Sequence, residues 1–505
     1  MKSTKKTLNK PKGFTSRYGL IVSMIAGSAG LGNVWRFPRM AALHGGGAFV
    51  LLWTLFLVLL CLPATISEVV LGRATRHAPP GAFKDFVSKK FTWMGGWLVF
   101  SLTAITAYYC AIMGWVLFYF IKAISGQLIG SDSAAMFESV SNGNIYTVIF
   151  FAFSVIITAV VIYRGVSKGI ERANKILLPT IVIILAFLAI KCIMLPGGMS
   201  GLNRLFSIDP SYYAKSETWL AALSQAAWSV GPGWGFILTY AIYSPKKQDV
   251  ALTQTAQGFG DNSIALLAGC MVLPALFASV PTTEAALEIC ASGNYGLTFI
   301  SMIEIASKIP GGAVLLALFF FALYAAALSS CISMLIGPIQ ALMDFGWSKK
   351  KSVIVATVIT LALGLPSAWS INFLGNQDWV CGIAILIGSL ITCFIVYKFG
   401  VEKFRQKYLN IPTRDITIGK YFNYGVKYTS PILVFVMMSW YIIDAVKADP
   451  SGWWNPFSVY SVGTVVFQLG LWFIILKLFN NKMADSIKIK YFEDNGYPDI
   501  PDNLL

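Results

Sequence analysis

Twelve windows of about 20 mainly apolar residues follow one another along this 505-residue chain, near positions 18–42, 47–72, 96–126, 146–163, 170–194, 219–243, 253–283, 311–343, 352–372, 378–398, 430–446 and 458–480. No other feature constrains the fold as strongly, because about 20 residues of helix are what it takes to cross a hydrocarbon layer. Charged residues make up only 12% of the chain, against about 25% in soluble proteins. The expected fold class is an all-α membrane protein with twelve transmembrane helices.

The net charge of +16 would suggest a nucleic-acid partner in a soluble protein, but here the basic residues sit between the apolar windows. Lys2, Lys5, Lys6, Lys10, Lys12 and Arg17 precede the first window, and Arg73, Arg76, Lys84, Lys89 and Lys90 follow the second. Arg164 and Lys168, Lys246 and Lys247, and Lys349 to Lys351 follow the fourth, sixth and eighth. The stretch 127–145 holds no Lys or Arg, only Asp132 and Glu138. Lys and Arg accumulate on the cytoplasmic side, so both termini are expected there and the span count must be even. The Lys-rich start runs into a window that reads as a retained span rather than a cleaved signal. Cys61, Cys110, Cys192, Cys270, Cys331, Cys381 and Cys393 lie in apolar runs without metal-ligand spacing and read as packing residues. No G-x-x-x-x-G-K-[ST] phosphate loop is visible, and the two histidines, His44 and His77, are not near a nucleophile signature. ATP-driven transport and catalysis are both disfavoured.

Two windows are interrupted where a helix should be most regular. In "MIAGSAGLGNVWRFP" (Met24 to Pro38), Gly27, Gly30 and Gly32 fall within six residues, at about 1 kcal/mol each relative to alanine in a helix. In "AAWSVGPGWGF" (Ala226 to Phe236), Gly231, Pro232, Gly233 and Gly235 do the same in the sixth window, and proline removes a backbone donor as well. These windows head two successive groups of five. Unwound backbone at membrane depth is tolerated where it lines a cavity. Paired breaks at corresponding positions point to a binding site between inverted repeats. Freed carbonyls there suit cations, and half-helix N-termini suit an anion.

With these motifs in view, the chain resembles the neurotransmitter:sodium symporter family. The resemblance rests on "GLGNVWRFP" with "HGGGAF" (His44 to Phe49), "YRGVSKGIERANKILLPT" (Tyr163 to Thr180), the sixth-window break and "ALSSCIS" (Ala327 to Ser333). It implies two inverted five-helix repeats (spans 1–5 and 6–10) with broken helices 1 and 6, plus two C-terminal helices. The expected organisation is a cytoplasmic N-terminal segment 1–17, a first repeat 18–194, an extracellular loop 195–218 and a second repeat 219–398. A cytoplasmic loop 399–429, spans 11 and 12 in 430–480 and a cytoplasmic tail 481–505 follow.

The resemblance also implies roles. One sodium would be held by Ser28, Asn33, Ser229 and Asp261 together with the substrate carboxylate. Another would be held by the carbonyls of Ala26, Ala29 and Ala326 and the hydroxyls of Ser329 and Ser330; hydroxyls in a helix also commonly bond back to their own carbonyls. Asp261 stands where many animal members carry Asn and need chloride, so no chloride requirement is expected. Gly30 stands where amine transporters carry Asp, which favours an amino acid over a lone amine. The substrate carboxylate would meet Gly30, Leu31, Gly32 and Tyr109, and its ammonium Ser28, Trp228, Ser229 and Ser330. Gly27, Ile105, Trp228, Val230, Gly231, Trp234 and Met334 would line the side-chain pocket. Trp228 and Trp234 replace phenylalanines of the bacterial pattern and should shrink that pocket.

Arg36 and Asp378 match the family's extracellular gate pair, and Asp344 its cytoplasmic acid. The Arg-x-x-Trp partner of that acid is missing: "KPKGFTSR" offers Lys10 or Lys12 and Phe14. Glu68 is expected to accept hydrogen bonds from the unwound sixth span, since an unpaired buried acid is costly. The expected protein is a sodium-coupled importer of a neutral amino acid with a small or medium side chain. It would sit in the plasma (inner) membrane, with sodium, the amino acid and the bilayer as partners, no nucleic acid, and a monomeric or weakly dimeric state. The alternatives are a transport-dead amino-acid sensor of the same fold and a symporter of larger hydrophobic or aromatic amino acids.

Overall fold

The computed structural model describes residues 13–245, 248–412, 414–487 and Tyr497. Among the described residues there is no strand, only two isolated bridges, Gly46 with Ile208 and Asn142 with Ser370. The spanning helices are α1 (Arg17–Ser28), α2 (Gly32–Leu43), α3 (Gly47–Thr75), α4 (Lys89–Ile124), α5 (Ile145–Tyr163) and α6 (Val166–Ile193). They continue as α7 (Ser216–Val230) and α8 (Phe236–Ile242), then α9 (Val250–Ser279), α10 (Gly312–Asp344), α11 (Lys349–Trp369), α12 (Ile371–Phe399), α13 (Tyr421–Ala448) and α14 (Val462–Ser486). Ten of these are long and apolar enough to cross a membrane alone, and α1 and α2 cross as a pair bent by 58°. Taking α7 and α8 as one interrupted crossing completes the twelve.

Polar caps set where several helices begin, three residues ahead of the apolar window for α9 and α11 and four residues inside it for α14. Asp249 accepts the Leu252 N–H ahead of α9, Ser348 that of Lys351 ahead of α11, and Ser461 that of Thr464 ahead of α14. Such side chains satisfy donors that the first helical turn leaves unpaired, and a hydropathy window passes over them. The connecting stretches also carry short helices, Pro79–Phe86, Ser133–Ser141, Gly198–Phe206 and Thr283–Ala291.

Helices α4 and α10 form the centre, packed along each other and buried over most of their length. Around them, α5, α6, α13 and α14 expose large apolar side chains such as Ile156, Ile183, Phe435 and Phe467. That is the surface a helix presents to hydrocarbon rather than to water. The two broken crossings lie inside this ring, α1 against α9 and α10, and α8 against α3 and α10.

Candidate functional site

The first break is a single tight turn. Ala29 has φ −71° and ψ 70°, the geometry of an inverse γ-turn, and the Gly30 N–H donates to the Ser28 carbonyl at 2.7 Å. The next N–H, of Leu31, leaves the helix and donates to the Tyr109 hydroxyl at 2.8 Å. In a continuous helix those two donors would serve the carbonyls of Ala26 and Gly27, which are thereby released. Gly30 has to be bare: a Cβ there would run into the Tyr109 hydroxyl and lie 2.8 Å from the Ser330 hydroxyl.

The second break is wider. Gly231, Gly233 and Gly235 have φ of 81°, 81° and 82°, a region that costs an L-residue about 1–2 kcal/mol. The amides this exposes are held by one side chain from α3. Glu68, fully buried, accepts the N–H of Gly233 at 2.6 Å and that of Gly235 at 3.2 Å, as expected from the sequence.

Between the breaks lies a cavity of about 310 Å³. Gly27, Ser28, Gly30, Gly32, Asn33, Tyr109, Trp228, Ser229, Gly231, Trp234, Ser330 and Met334 line it, together with Arg36 and Asp378. Leu31 contributes its N–H to Tyr109 instead of a wall. Ile105 and Val230 are fully buried and are not among the lining residues; Ile112, two turns further along α4, takes the wall position expected of Ile105. Trp228 and Trp234 meet edge to face, with centroids 5.8 Å apart. Trp228 rests against bare backbone at Gly382, where a Cβ would lie 2.9 Å from its ring.

Three residues distant in sequence converge beside this cavity. The Asn33 amide donates to the Asp261 carboxylate at 2.9 Å, and the Ser229 hydroxyl donates to the same carboxylate. Asp261 is fully buried, and among the described residues no Lys or Arg is paired with it. Carboxylate, amide and hydroxyl oxygens are the donor set that hard cations take. Gln257 lies one turn before Asp261 on α9; it donates to the Ser28 hydroxyl at 2.9 Å and the Val230 carbonyl at 3.4 Å, tying both breaks together. In the other predicted set, Ser329 donates back to the Ala326 carbonyl at 2.9 Å. The Ser330 hydroxyl is buried without a hydrogen-bond partner among the described residues, and Ala26 and Ala29 are buried.

The gate residues depart from expectation. Arg36 and Asp378 both line the cavity but are not paired; Arg36 donates to Gln225 at 2.5 Å and Ser224 at 3.0 Å on α7. The guanidinium is held by neutral oxygens four and five residues before Ser229, which leaves it free of Asp378. At the opposite end, Asp344 accepts the Ala78 N–H at 2.6 Å and the Gln340 amide at 2.8 Å. Phe14 is buried there, its N–H on the Tyr243 carbonyl at 3.0 Å and its ring edge-on to Tyr240 at 5.6 Å. Lys10 and Lys12 lie outside the described residues.

The residues missed from sequence are Gln225, Ser224, Gln257 and Ile112. Helical spacing is the signal for two of them, since Gln225 and Gln257 stand four residues before Ser229 and Asp261, on the same helix face.

Against this geometry, the model of the sodium:neurotransmitter symporter family matches residues 12–142 and 138–484. The chain belongs to that family. As a sodium:neurotransmitter symporter it is a sodium-dependent, multi-pass membrane transporter. It is 27% identical over 473 residues to an uncharacterised sodium-dependent transporter of Methanocaldococcus jannaschii, covering 90% of this chain and 95% of that one. It is 24% identical over 544 residues to the mouse sodium-dependent neutral amino acid transporter B(0)AT3, covering 88% and 87%. Among solved structures, MhsT in complex with L-phenylalanine is similar with a TM-score of 0.73 and 29% identity, covering 85% of this chain and 99% of MhsT.

Proposed function

We propose that this symporter imports a neutral amino acid with two sodium ions, by alternating access and without chloride. The observation that carries the reading is the convergence of Asn33, Ser229 and Asp261 beside a cavity bounded by two broken helices. Ser28, Asn33, Ser229 and Asp261 would take one sodium. The released Ala26 carbonyl, with Ala29, Ala326, Ser329 and Ser330, would take the other. Asp261 brings a fixed negative charge to the first ion, which removes the need for an added anion.

The amino-acid class is supported by the bare Gly30, which offers no counter-charge for a lone amine, and by the neighbouring N-terminus of α2, which suits a carboxylate. The substrate carboxylate would complete the first ion's shell, which is the coupling. Each sodium entering across 100 mV contributes about 2.3 kcal/mol before any concentration gradient. Trp228 and Trp234 favour a small or medium side chain. MhsT, solved with L-phenylalanine, and the 310 Å³ cavity support a larger hydrophobic side chain as the second reading. The unlatched Arg36 and the packed Phe14–Asp344 end correspond to an outward-facing arrangement, with both termini cytoplasmic.

The test is uptake by the purified protein in proteoliposomes, driven by an imposed sodium gradient, with a panel of unlabelled amino acids as competitors. Sodium-driven accumulation that persists in gluconate is expected. Uptake indifferent to the sodium gradient would overturn the symport reading. Sodium-promoted substrate binding without any flux would instead identify a sensor.

A further inference from the structure

We propose that Gly382 of α12 sets the length of side chain this transporter accepts, by giving the indole of Trp228 a seat that holds it back from the amino-acid site. Resting on the amino-acid reading above, this role is a positioning one, exerted through Trp228.

Among the described residues five glycines line the cavity. Gly27, Gly30, Gly32 and Gly231 belong to the two broken crossings. Gly382 stands in the unbroken helix α12, and its φ is not in the left-handed region. No backbone demand explains a residue that costs a helix about 1 kcal/mol relative to alanine. The explanation is a neighbour. Gly382 lies one turn after Asp378 on the same helix face, and both border the cavity. A Cβ on Gly382 would lie 2.9 Å from Cζ2 of Trp228, and its next nearest atoms, Cε2 and Cη2 at 3.8 Å, belong to the same indole. The other cavity glycines have different neighbours: Gly27 faces Ser333 and Phe236, and Gly231 faces Phe236 and Trp234.

A side chain added at Gly382 must move either the helix or the indole, and the anchoring of each decides which. Helix α12 is pinned on both sides of Gly382. The Trp379 indole N–H donates to the Ser461 carbonyl at 3.1 Å, and the Ala384 carbonyl accepts the Trp97 indole N–H from α4 at 2.9 Å. Further along, α12 meets the second break backbone to backbone, where a Cβ on Gly388 would run into the Gly233 carbonyl and one on Gly233 into the Ser389 N–H. The helix therefore cannot retreat without disturbing the break itself. Trp228 is half-buried and meets Trp234 edge to face, and the space beside it is the cavity. The indole is the part that yields, and it yields inward. A pocket wall moved by about one carbon changes discrimination by about 10- to 200-fold for a side chain that reaches it. A side chain that stops short of that wall is spared.

The test compares wild type, Gly382→Ala, Trp228→Phe and the double variant in proteoliposomes, with alanine, valine, leucine and phenylalanine as substrates. In Gly382→Ala the ratio of kcat/KM for the longest side chain carried to that for the shortest should fall about tenfold or more, through KM rather than kcat. Adding Trp228→Phe, whose single ring falls short of the seat, should bring that ratio back to within about threefold of wild type. Loss by the same factor for every side chain, or an unchanged ratio, overturns the seat. If Gly382→Ala does not fold, Trp228→Phe alone carries the test: it should shift the ratio toward longer side chains by about threefold or more, and no shift overturns the seat. Thermal stabilisation by the same amino acids reads binding without flux. Wild type that no amino acid stabilises overturns the amino-acid reading and the seat with it. Wild type and Gly382→Ala stabilised by the four amino acids in the same proportions overturn the seat alone.

Discussion

Replacing Asp261 by asparagine deletes the one fixed negative charge in the cluster that joins α1–α2, α7 and α9. Within the protein, the bonds from Asn33 and Ser229 change from charge-assisted to neutral, at about 1 kcal/mol each. The effect on a cation is larger. A unit charge about 4 Å away, at an effective dielectric constant of about 20, contributes about 4 kcal/mol, or about a thousandfold in affinity. Fold stability should thus fall modestly while half-saturation by sodium moves out of the physiological range. Chloride supplied from solution can stand in for the lost carboxylate. The assay is the sodium dependence of uptake, run in chloride and in gluconate, with thermal stability measured on the same samples. Asp261→Asn should be inactive in gluconate and either inactive or partly restored in chloride. A mutant whose sodium half-saturation stays within about threefold of wild type, with no response to chloride, would refute the assignment of Asp261.

Glu68→Ala should be among the most destabilising single changes, because it strands the buried N–H groups of Gly233 and Gly235 at about 1–3 kcal/mol each; Glu68→Gln, which keeps one acceptor, should lose roughly half as much, read by thermal unfolding in detergent. Gly30→Ala should lower stability and uptake together by displacing Tyr109 from the Leu31 N–H. Gly32→Ala, whose Cβ would meet nothing within 4 Å, should keep its stability and lose affinity for the amino acid it would crowd. His44, between α2 and α3, is held by burial at a pKa of about 4, below its ordinary 6.5. Its neutral form favours the fold, so that stabilisation is complete above pH 6.5 and lost as pH falls toward 4; a pH–stability profile should flatten in that window in His44→Gln.

Much of this site was legible because it is built from exceptions to membrane-helix composition. Glycines in "GSAGLG" and "GPGWG" weaken helix propensity locally, and the backbone breaks where they stand. Asn33, Asp261 and Glu68 are costly at membrane depth, so each needs a partner, and each has one across a helix interface. The partner of Arg36 was hidden for the opposite reason. Gln225 and Ser224 are ordinary polar residues, and whether Arg36 meets them or Asp378 depends on how the helices are tilted rather than on residue type. Ile105 shows the same limit: on a long buried helix, one apolar residue is like another until the neighbouring helix fixes which side faces the cavity. The missing Arg-x-x-Trp was readable as an absence, but the contact Asp344 makes with Ala78 is to a backbone N–H, which carries no sequence signature.

The turn at Ala29 has a consequence for coupling. It differs from regular helix in the partners of the Gly30, Leu31 and Asn33 amide protons, the last donating to the Gly30 carbonyl at 3.2 Å, so the unwinding is confined to about one turn. On the proposed assignment, a sodium ion at the Ala26 carbonyl would replace the proton that Gly30 has withdrawn. Ion occupancy and the unwound state would then stabilise each other: with the ion gone, the carbonyl would regain its claim on the amide and the helix would tend to rewind. The driving ion would in that sense be a removable piece of secondary structure. Backbone amide protection at Gly30 and Leu31 should therefore report sodium binding as directly as the ion itself.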